Sequence, residues 1–390
     1  MGEQYDRATS EREIVRAIRE CRRGQGHKEG PVEYAYTALG SGAKLRREVR
    51  AGRYHARKGR EVQIYRPKRR TAIAPWFRDR VWQRAMCNNG VYDDLTRGFV
   101  APNIACQRGK GQDMAIRLVV RNLQELYWSA PSAPIYVDHL DVIKYFPSTP
   151  HRLVHELDQA RITEPLYLPY LAEIVEMQQD NRPADEITAD PFGARGTGLG
   201  SQINQLHQIA LLDDIDHDVI KLVPRSIRYN DDYLLLSHSR DAIAAASSLI
   251  GERLEQRGLR MQDKAGITTA GLGFYFLRKR FIVCDGGKIL IRLAPEVLAQ
   301  ERHALLRMRR AIDEGRCTIE HVRRHYQSWV ANAEYAGDAP IRAMDRHYKK
   351  TFGEEPKYIR TRRYLYGRPC DTARARAHAG ARKREAARGK

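Results

Sequence analysis

The stretch Arg228-Tyr229-Asn230-Asp231-Asp232-Tyr233-Leu234-Leu235-Leu236 constrains this chain more than any other. Tyr233 to Leu236 is a short apolar run that reads as a buried strand, and Pro224 to Arg228 reads as the strand entering the turn before it. Asn and Asp favour turns, so two adjacent carboxylates ride on a tight hairpin. Successive residues of extended backbone face opposite sides. One Asp can therefore face a metal site while the other sits beside it in support. An exposed Asn-Asp-Asp turn has the same local signature, and the stretch alone leaves both readings open.

Charge narrows the class of partner. The 390 residues suffice for two or three domains, and 68 Lys and Arg against 48 Asp and Glu give a net charge of +20. Such an excess predicts a polyanionic partner, most simply a nucleic acid. The six cysteines are scattered with no CxxC pair, as expected of reduced intracellular thiols. The first ten residues are polar and no stretch approaches membrane-spanning length, so a cytoplasmic chain with no membrane segment is expected.

Apolar spacing predicts helices over 10–21, 44–50, 75–90, 112–127, 150–160, 164–179, 201–220 and 239–256. An all-helical end follows over 296–313, 318–336 and 340–352. Alternation and short apolar runs predict strands over 61–65, 71–74, 135–143, 259–262, 272–277, 281–284 and 289–293. Residues 22–30, 98–111 and 180–195 read as loops, and Gly196 to Gly200 as the Gly-rich opening of the long helix from 201. The first two strands are joined by Arg66-Pro67-Lys68-Arg69-Arg70. A basic hairpin of this kind can close over a triphosphate, because Lys and Arg supply charge and donors to phosphate oxygens; it can equally be a solvated turn.

Two carboxylates from distant segments, Asp141 at a strand end and Asp231 on the hairpin, can bracket a pair of Mg²⁺ ions. Two such metals activate the attacking oxygen and stabilise the leaving one in an in-line displacement, and phosphoryl transfer needs little beyond positioning and charge neutralisation. Phe146 follows Asp141 past a turn and can pack against a sugar and sense a 2′-OH. Ordinary strand-end carboxylates at Asp138 and Asp141, and ordinary core aromatics at Tyr145 and Phe146, are the plain alternative.

Taken in order, these motifs resemble the reverse transcriptases of the bacterial, group II intron-like branch. Asp141-Val142-Ile143-Lys144-Tyr145-Phe146-Pro147-Ser148 is similar to the first palm motif, and Tyr229-Asn230-Asp231-Asp232 to the Tyr-x-Asp-Asp motif. Leu199-Gly200-Ser201-Gln202-Ile203-Asn204-Gln205, with the helix running to Leu211-Leu212-Asp213, resembles the second palm motif. Lys264 after Gly258-Leu259-Arg260 resembles the lysine of the next one, and Leu272-Gly273-Phe274 the primer grip. Arg66 to Ile73 and Asp79-Arg80-Val81-Trp82-Gln83 resemble the fingers. The resemblance spans residues 45–350.

It implies an α+β, right-hand polymerase. Residues 1–134 would be an N-terminal extension and fingers. Residues 135–293 would be a palm whose antiparallel sheet packs on helices, with 180–200 a fingers/palm loop. A helical thumb over 294–352 and a basic tail over 353–390 would complete the chain. Asp141 and Asp231 would bind both Mg²⁺ ions with the Val142 carbonyl, Asp232 would assist, and Lys264 would protonate the departing pyrophosphate. Lys68 and Arg70 would hold the incoming dNTP, Phe146 would exclude ribonucleotides, and Leu199, Gly200, Gln205 and Tyr229 would line the nucleotide site. Arg302, Arg309, Arg323 and Arg324 on the thumb would track the template–primer backbone, and the Arg-rich tail would meet RNA. The implied partners are a structured non-coding RNA template, a DNA primer and product, and an accessory protein.

One departure bears on the role. Many of these enzymes have Pro-Gln-Gly where this chain has Gly198-Leu199-Gly200, and Asn204-Gln205 stands where Ser-Gln is usual. Similar patterns occur in enzymes of diversity-generating retroelements and in defence-associated relatives. Loss of the Gln removes a polar contact to the nucleotide, from which lower fidelity is expected. Asn204, the shortened Gly-rich approach and the basic tail favour antiviral defence over diversity generation. An RNA-binding protein without catalysis on a polymerase scaffold, and protein-primed synthesis from a Tyr hydroxyl, stay open.

Overall fold

The computed structural model describes residues 2–25, 29–64, 70–177, 180, 182–262 and 266–360. Lys68, the Arg70 side chain, Lys264 and residues 361–390 lie outside the described part, and with them the expected phosphate-holding hairpin loop, the proposed acid and most of the basic tail.

The protein is of the expected α+β class. Its strands are β1 Arg60–Ile64, β2 Arg70–Ala74, β3 Tyr136–Asp141, β4 Ile227–Tyr229, β5 Asp232–Ser237, β6 Thr268–Thr269, β7 Phe274–Phe276, β8 Lys279–Val283 and β9 Ile289–Leu293. They form a β1-β2 hairpin, a four-stranded sheet in the order β4-β5-β3-β6 and a three-stranded sheet β7-β8-β9. The pairs β1–β2, β3–β6, β4–β5, β7–β8 and β8–β9 are antiparallel. Tyr233, Leu234, Leu235 and Leu236 of β5 are all buried, as an unbroken apolar run requires when both faces of a strand are covered.

The backbone divides into two compact units, one of residues 1–111, 140–235 and 241–264, the other of 112–139, 236–240 and 265–390. In the first, Trp82 is fully buried within an aromatic cluster of Tyr5, Tyr54, Tyr167 and Tyr170, at centroid distances of 5.4–6.4 Å. The helix Glu11–Arg22 opens with the Ser10 side chain accepting from the Glu13 N–H at 3.2 Å and buries Ile14, Ala17 and Ile18 in the same core. In the second unit the helices Pro295–Asp313, Ile319–Ala333 and Asp338–Phe352 enclose Leu305, Val322, Tyr326, Val330, Met344 and Tyr348.

The elements depart from expectation where tertiary contacts override local pattern. The helix expected over 201–220 is two, Gln202–Ala210 and Asp213–Leu222, because Asp213, Asp214 and Asp216 crowd one first turn, where carboxylates complement a helix N-terminus. Residues 259–262 do not form a strand; Met261 makes one bridge to Val142. Phe274–Phe276 is cut short by Gly273 and by Leu277 and Arg278, all at positive φ, the last two forming the two-residue turn to β8. Short helices Tyr145–Ser148 and Ala184–Ala189 occupy stretches read as turn or loop, and Glu29–Tyr36 starts at the end of the 22–30 loop and runs on through residues given no element. None of the described helices is long and apolar enough to cross a membrane.

Candidate active site

The site is assembled within the first unit from a strand end and a hairpin tip. β3 runs out at Asp141, which is pinned by the Gln262 N–H donating to its carbonyl at 2.7 Å, while the Ile143 N–H donates to the Arg260 carbonyl at 2.8 Å. Tyr229 pairs with Asp232 across β4 and β5, so Asn230 and Asp231 are the two-residue connection. Asn230 takes φ +58°, a left-handed conformation that Asn tolerates better than most residues. Asp141, Asp231 and Asp232 are half-buried, and one oxygen of each lies within 4.8 Å of the others. Three carboxylates this close repel one another unless a cation joins them, and an all-oxygen donor set suits a hard divalent ion.

Beneath the turn lies a charge that the sequence reading passed over. Arg228 is 2 % exposed, and its Nε donates to Asp216 Oδ1 at 2.6 Å and Oδ2 at 2.8 Å, with Nη2 donating to Oδ2 at 2.6 Å. Burial works against the guanidinium, but Asp216 outweighs it and holds the Arg228 pKa above its usual value. Its remaining donors reach backbone: Nη1 to the Asn230 carbonyl at 2.8 Å, and Nη2 to the Ile209 carbonyl at 2.7 Å. The pair thus ties the tip of the hairpin to the end of the helix Gln202–Ala210. A lone Arg beside an apolar strand, and an Asp at a buried helical position, were the signals available.

The 98–111 segment, read as a loop, lies alongside β4: Asn103 bridges Arg228 in parallel, and the Ile104 N–H donates to the Arg228 carbonyl at 3.0 Å. This brings Cys106 to the turn, its Sγ 3.4 Å from Asn230 Oδ1 and 3.9 Å from Gln205 Oε1. Gln205, Tyr229 and Asn230 therefore share one neighbourhood. Burial raises the Tyr229 pKa.

Phe146 is half-buried on the short helix after Asp141, its ring 6.2 Å from the fully buried Tyr145 ring. The intervening Lys144 is at φ +45°. Val142 is 2 % exposed, so only its backbone is suited to face a ligand. Leu199 is half-buried. A Cβ on Gly200 would sit 2.4 Å from the Ile73 carbonyl oxygen of β2, so this glycine is required by backbone packing, independent of any ligand. Asn204 is buried, its Nδ2 donating to the Gly198 carbonyl at 3.2 Å, and Ser201 caps its helix while donating to Gln83 Oε1 at 3.0 Å.

The four expected backbone-tracking arginines lie in the second unit. Arg302 and Arg309 are exposed and two turns apart on one helix. Arg309 pairs with Asp313 at 3.1 Å, and Arg323 is held by Glu320 and, at 3.0 Å, by Glu354. Arg324 is exposed.

No protein-family model matches the chain, and no curated protein matches it. Among solved structures it is similar to telomerase from Candida albicans in complex with a TWJ fragment of telomeric RNA, at 10% identity and TM-score 0.45 over 82% of this chain and 59% of that one. Apo telomerase from Candida tropicalis aligns at 10% identity and TM-score 0.45 over 75% of this chain and 59% of that one. The Sicinivirus 3Dpol RNA-dependent RNA polymerase aligns at 12% identity and TM-score 0.44 over 81% and 68%. The chain spans about three fifths of the length of these telomerases.

Proposed function

We propose that this chain is an RNA-directed DNA polymerase that copies a structured partner RNA. The observation that carries this reading is the meeting of Asp141 with Asp231 and Asp232, residues far apart in sequence, within 4.8 Å. A strand end and a hairpin tip that bring three carboxylates together, in a chain of net charge +20, fit nucleotidyl transfer better than a solvated turn does.

In this reading Asp141 and Asp231, with the Val142 carbonyl, hold two Mg²⁺ ions, and Asp232 assists. Bound there, the ions would supply activation of a primer 3′-hydroxyl and neutralise charge on the leaving pyrophosphate. The chain's own part is positioning. Arg228 fixes the turn that carries Asp231, and Phe146 packs against the sugar and selects dNTPs. Gln205, Tyr229, Leu199 and Gly200 bound the nucleotide. Lys68 and Arg70 hold the triphosphate and Lys264 protonates the leaving group. Arg302, Arg309, Arg323 and Arg324 follow the template–primer backbone. Residues 1–134 act as extension and fingers, 135–293 as palm, 294–352 as thumb, and 353–390 as a basic RNA-binding tail. The template is a dedicated non-coding RNA, the setting bacterial antiviral defence in the cytoplasm, and an accessory protein joins the complex.

The test is incorporation of dNTPs on an RNA template with a DNA primer and Mg²⁺. Asp141→Asn and Asp231→Asn are each expected to lower the rate by at least about 10³-fold while leaving the melting temperature near that of the wild type. Synthesis that persists in both variants overturns the reading. Sequencing of the nucleic acid that co-purifies with the protein identifies template, primer and product together.

A further inference from the structure

Behind Phe146 lies a buried polar network centred on one residue. Gln208, on the inner face of the helix Gln202–Ala210, has no exposed surface. Its Nε2 donates to Thr197 Oγ1 at 2.7 Å, and Thr197 in turn reaches the Phe146 carbonyl twice, through its N–H at 2.9 Å and its hydroxyl at 3.3 Å. Gln208 Oε1 lies 3.0 Å from Thr149 Oγ1, which is 2.8 Å from the Tyr145 carbonyl oxygen. The Tyr145 hydroxyl donates to the Gln208 backbone carbonyl at 2.7 Å. Thr197, Thr149 and Tyr145 are all at most 3 % exposed.

Gln208 therefore sits between Thr197, which holds the Phe146 carbonyl, and Thr149, the residue after the four-residue helix, whose one hydroxyl proton is shared between Gln208 Oε1 and the Tyr145 carbonyl. A buried amide left without either partner costs free energy, so the network favours one placement of residues 145–149. The next residue on the same helix, Ile209, takes the Arg228 donor described above. One helix thus sets both the tip carrying Asp231 and the backbone carrying Phe146.

We propose that Gln208 is a positioning residue that sets the discrimination between deoxyribonucleotides and ribonucleotides by fixing Phe146. This rests on the polymerase reading and adds to it a residue to which the motifs gave no role. A sugar is told apart from its 2′-hydroxy analogue by contact over a fraction of an ångström, and a small displacement of the contacting ring is enough to weaken the distinction.

The experiment measures kcat/KM for a dNTP and the matching rNTP, singly incorporated on an RNA template with a DNA primer, for wild type, Gln208→Met, Thr197→Val and Phe146→Ala. Gln208→Met keeps the length of the side chain and removes both hydrogen bonds. The dNTP/rNTP ratio is expected to fall about tenfold in Gln208→Met and in Thr197→Val, and Gln208→Met is expected to add nothing in the Phe146→Ala background. A purely structural role lowers both efficiencies together; an unchanged ratio in both single variants overturns the proposal. If Gln208→Met does not fold, the ratio in Thr197→Val decides alone. Wild-type protein that incorporates neither nucleotide overturns the polymerase reading first, and this inference with it.

Discussion

Arg228 sits where the sequence offers only the entrance to an apolar strand, yet it is among the largest fully buried side chains of the protein. A guanidinium taken out of water is tolerated only with a partner and with its remaining donors satisfied, and Asp216, Asn230 and Ile209 supply both. Removing one member strands the other charge. Arg228→Ala is expected to destabilise the protein by about 3–5 kcal/mol, read from urea denaturation midpoints. The double replacement Arg228→Met with Asp216→Leu is expected to recover most of that stability, because neither charge of the pair remains. Recovered stability without recovered activity would show that the bond to the Asn230 carbonyl serves placement of the turn; a double variant as unstable as the single one would count against the argument.

Among the elements, residue 180 and residues 182–195 are more tightly organised than a polar, Pro- and Gly-containing stretch suggests. Arg182 bonds Asp180 at 2.6 Å and Asp190 at 2.7 Å, and Arg195 bonds Asp190 and the carbonyls of Ser148 and Gly258. Hydrogen bonding from Arg182 lowers the Asp180 pKa to about 2, and Arg195 lowers that of Asp190. Both folded values lie below the roughly 3.9 of an unfolded Asp, so this contribution is complete above that pH and is lost as pH falls towards about 2. Pepsin cleavage within 182–195 is expected to rise over that window relative to the rest of the chain. Asp190→Asn is expected to be susceptible already at its upper end. Equal susceptibility of wild type and variant across the window would refute this role for the Asp190 pairs.

How much of this was legible follows the same division between local and distant causes. Hairpins and caps announce themselves through neighbouring residues: Ser10 with Glu13, Asn230 between two strands, Pro295 at a helix start. The convergence of Asp141 with the hairpin was anticipated because motif order carried it. The helix at Tyr145–Ser148 and the burial of Arg228, Asp216 and Gln208 were not, since each depends on a partner many residues away, whereas the break after Ala210 has its cause in the neighbouring Asp213, Asp214 and Asp216. Gly200 was read as part of a nucleotide site, and the structure gives it a packing reason in Ile73.

At the scale of the molecule, each unit is built from three stretches of chain that alternate along the sequence. The helix Gln112–Ser129 belongs to the second unit and buries Ile116, Val119 and Leu123, and the Gly286 N–H donates to the Tyr127 hydroxyl at 2.9 Å within that unit. A fragment ending at residue 264 keeps this helix and loses β9 and the turn at Asp285–Gly287, both of which pack on it. It is expected to bind ANS and to melt without a sharp transition, whereas the whole chain melts cooperatively. A fragment that melts as sharply as the whole chain and binds no ANS would show that this helix does not depend on residues beyond 264 for its cover.

The same interleaving sets an order of events on the ribosome. Asp141 emerges long before Asp231, and the first unit cannot close until residue 264 has been made, with a foreign helix already waiting in between. At about 5–20 residues per second the nascent chain spends on the order of ten seconds or more in that unfinished state. Through most of that time Asp141 waits for Asp231 and Asp232, and the three acids have not been gathered.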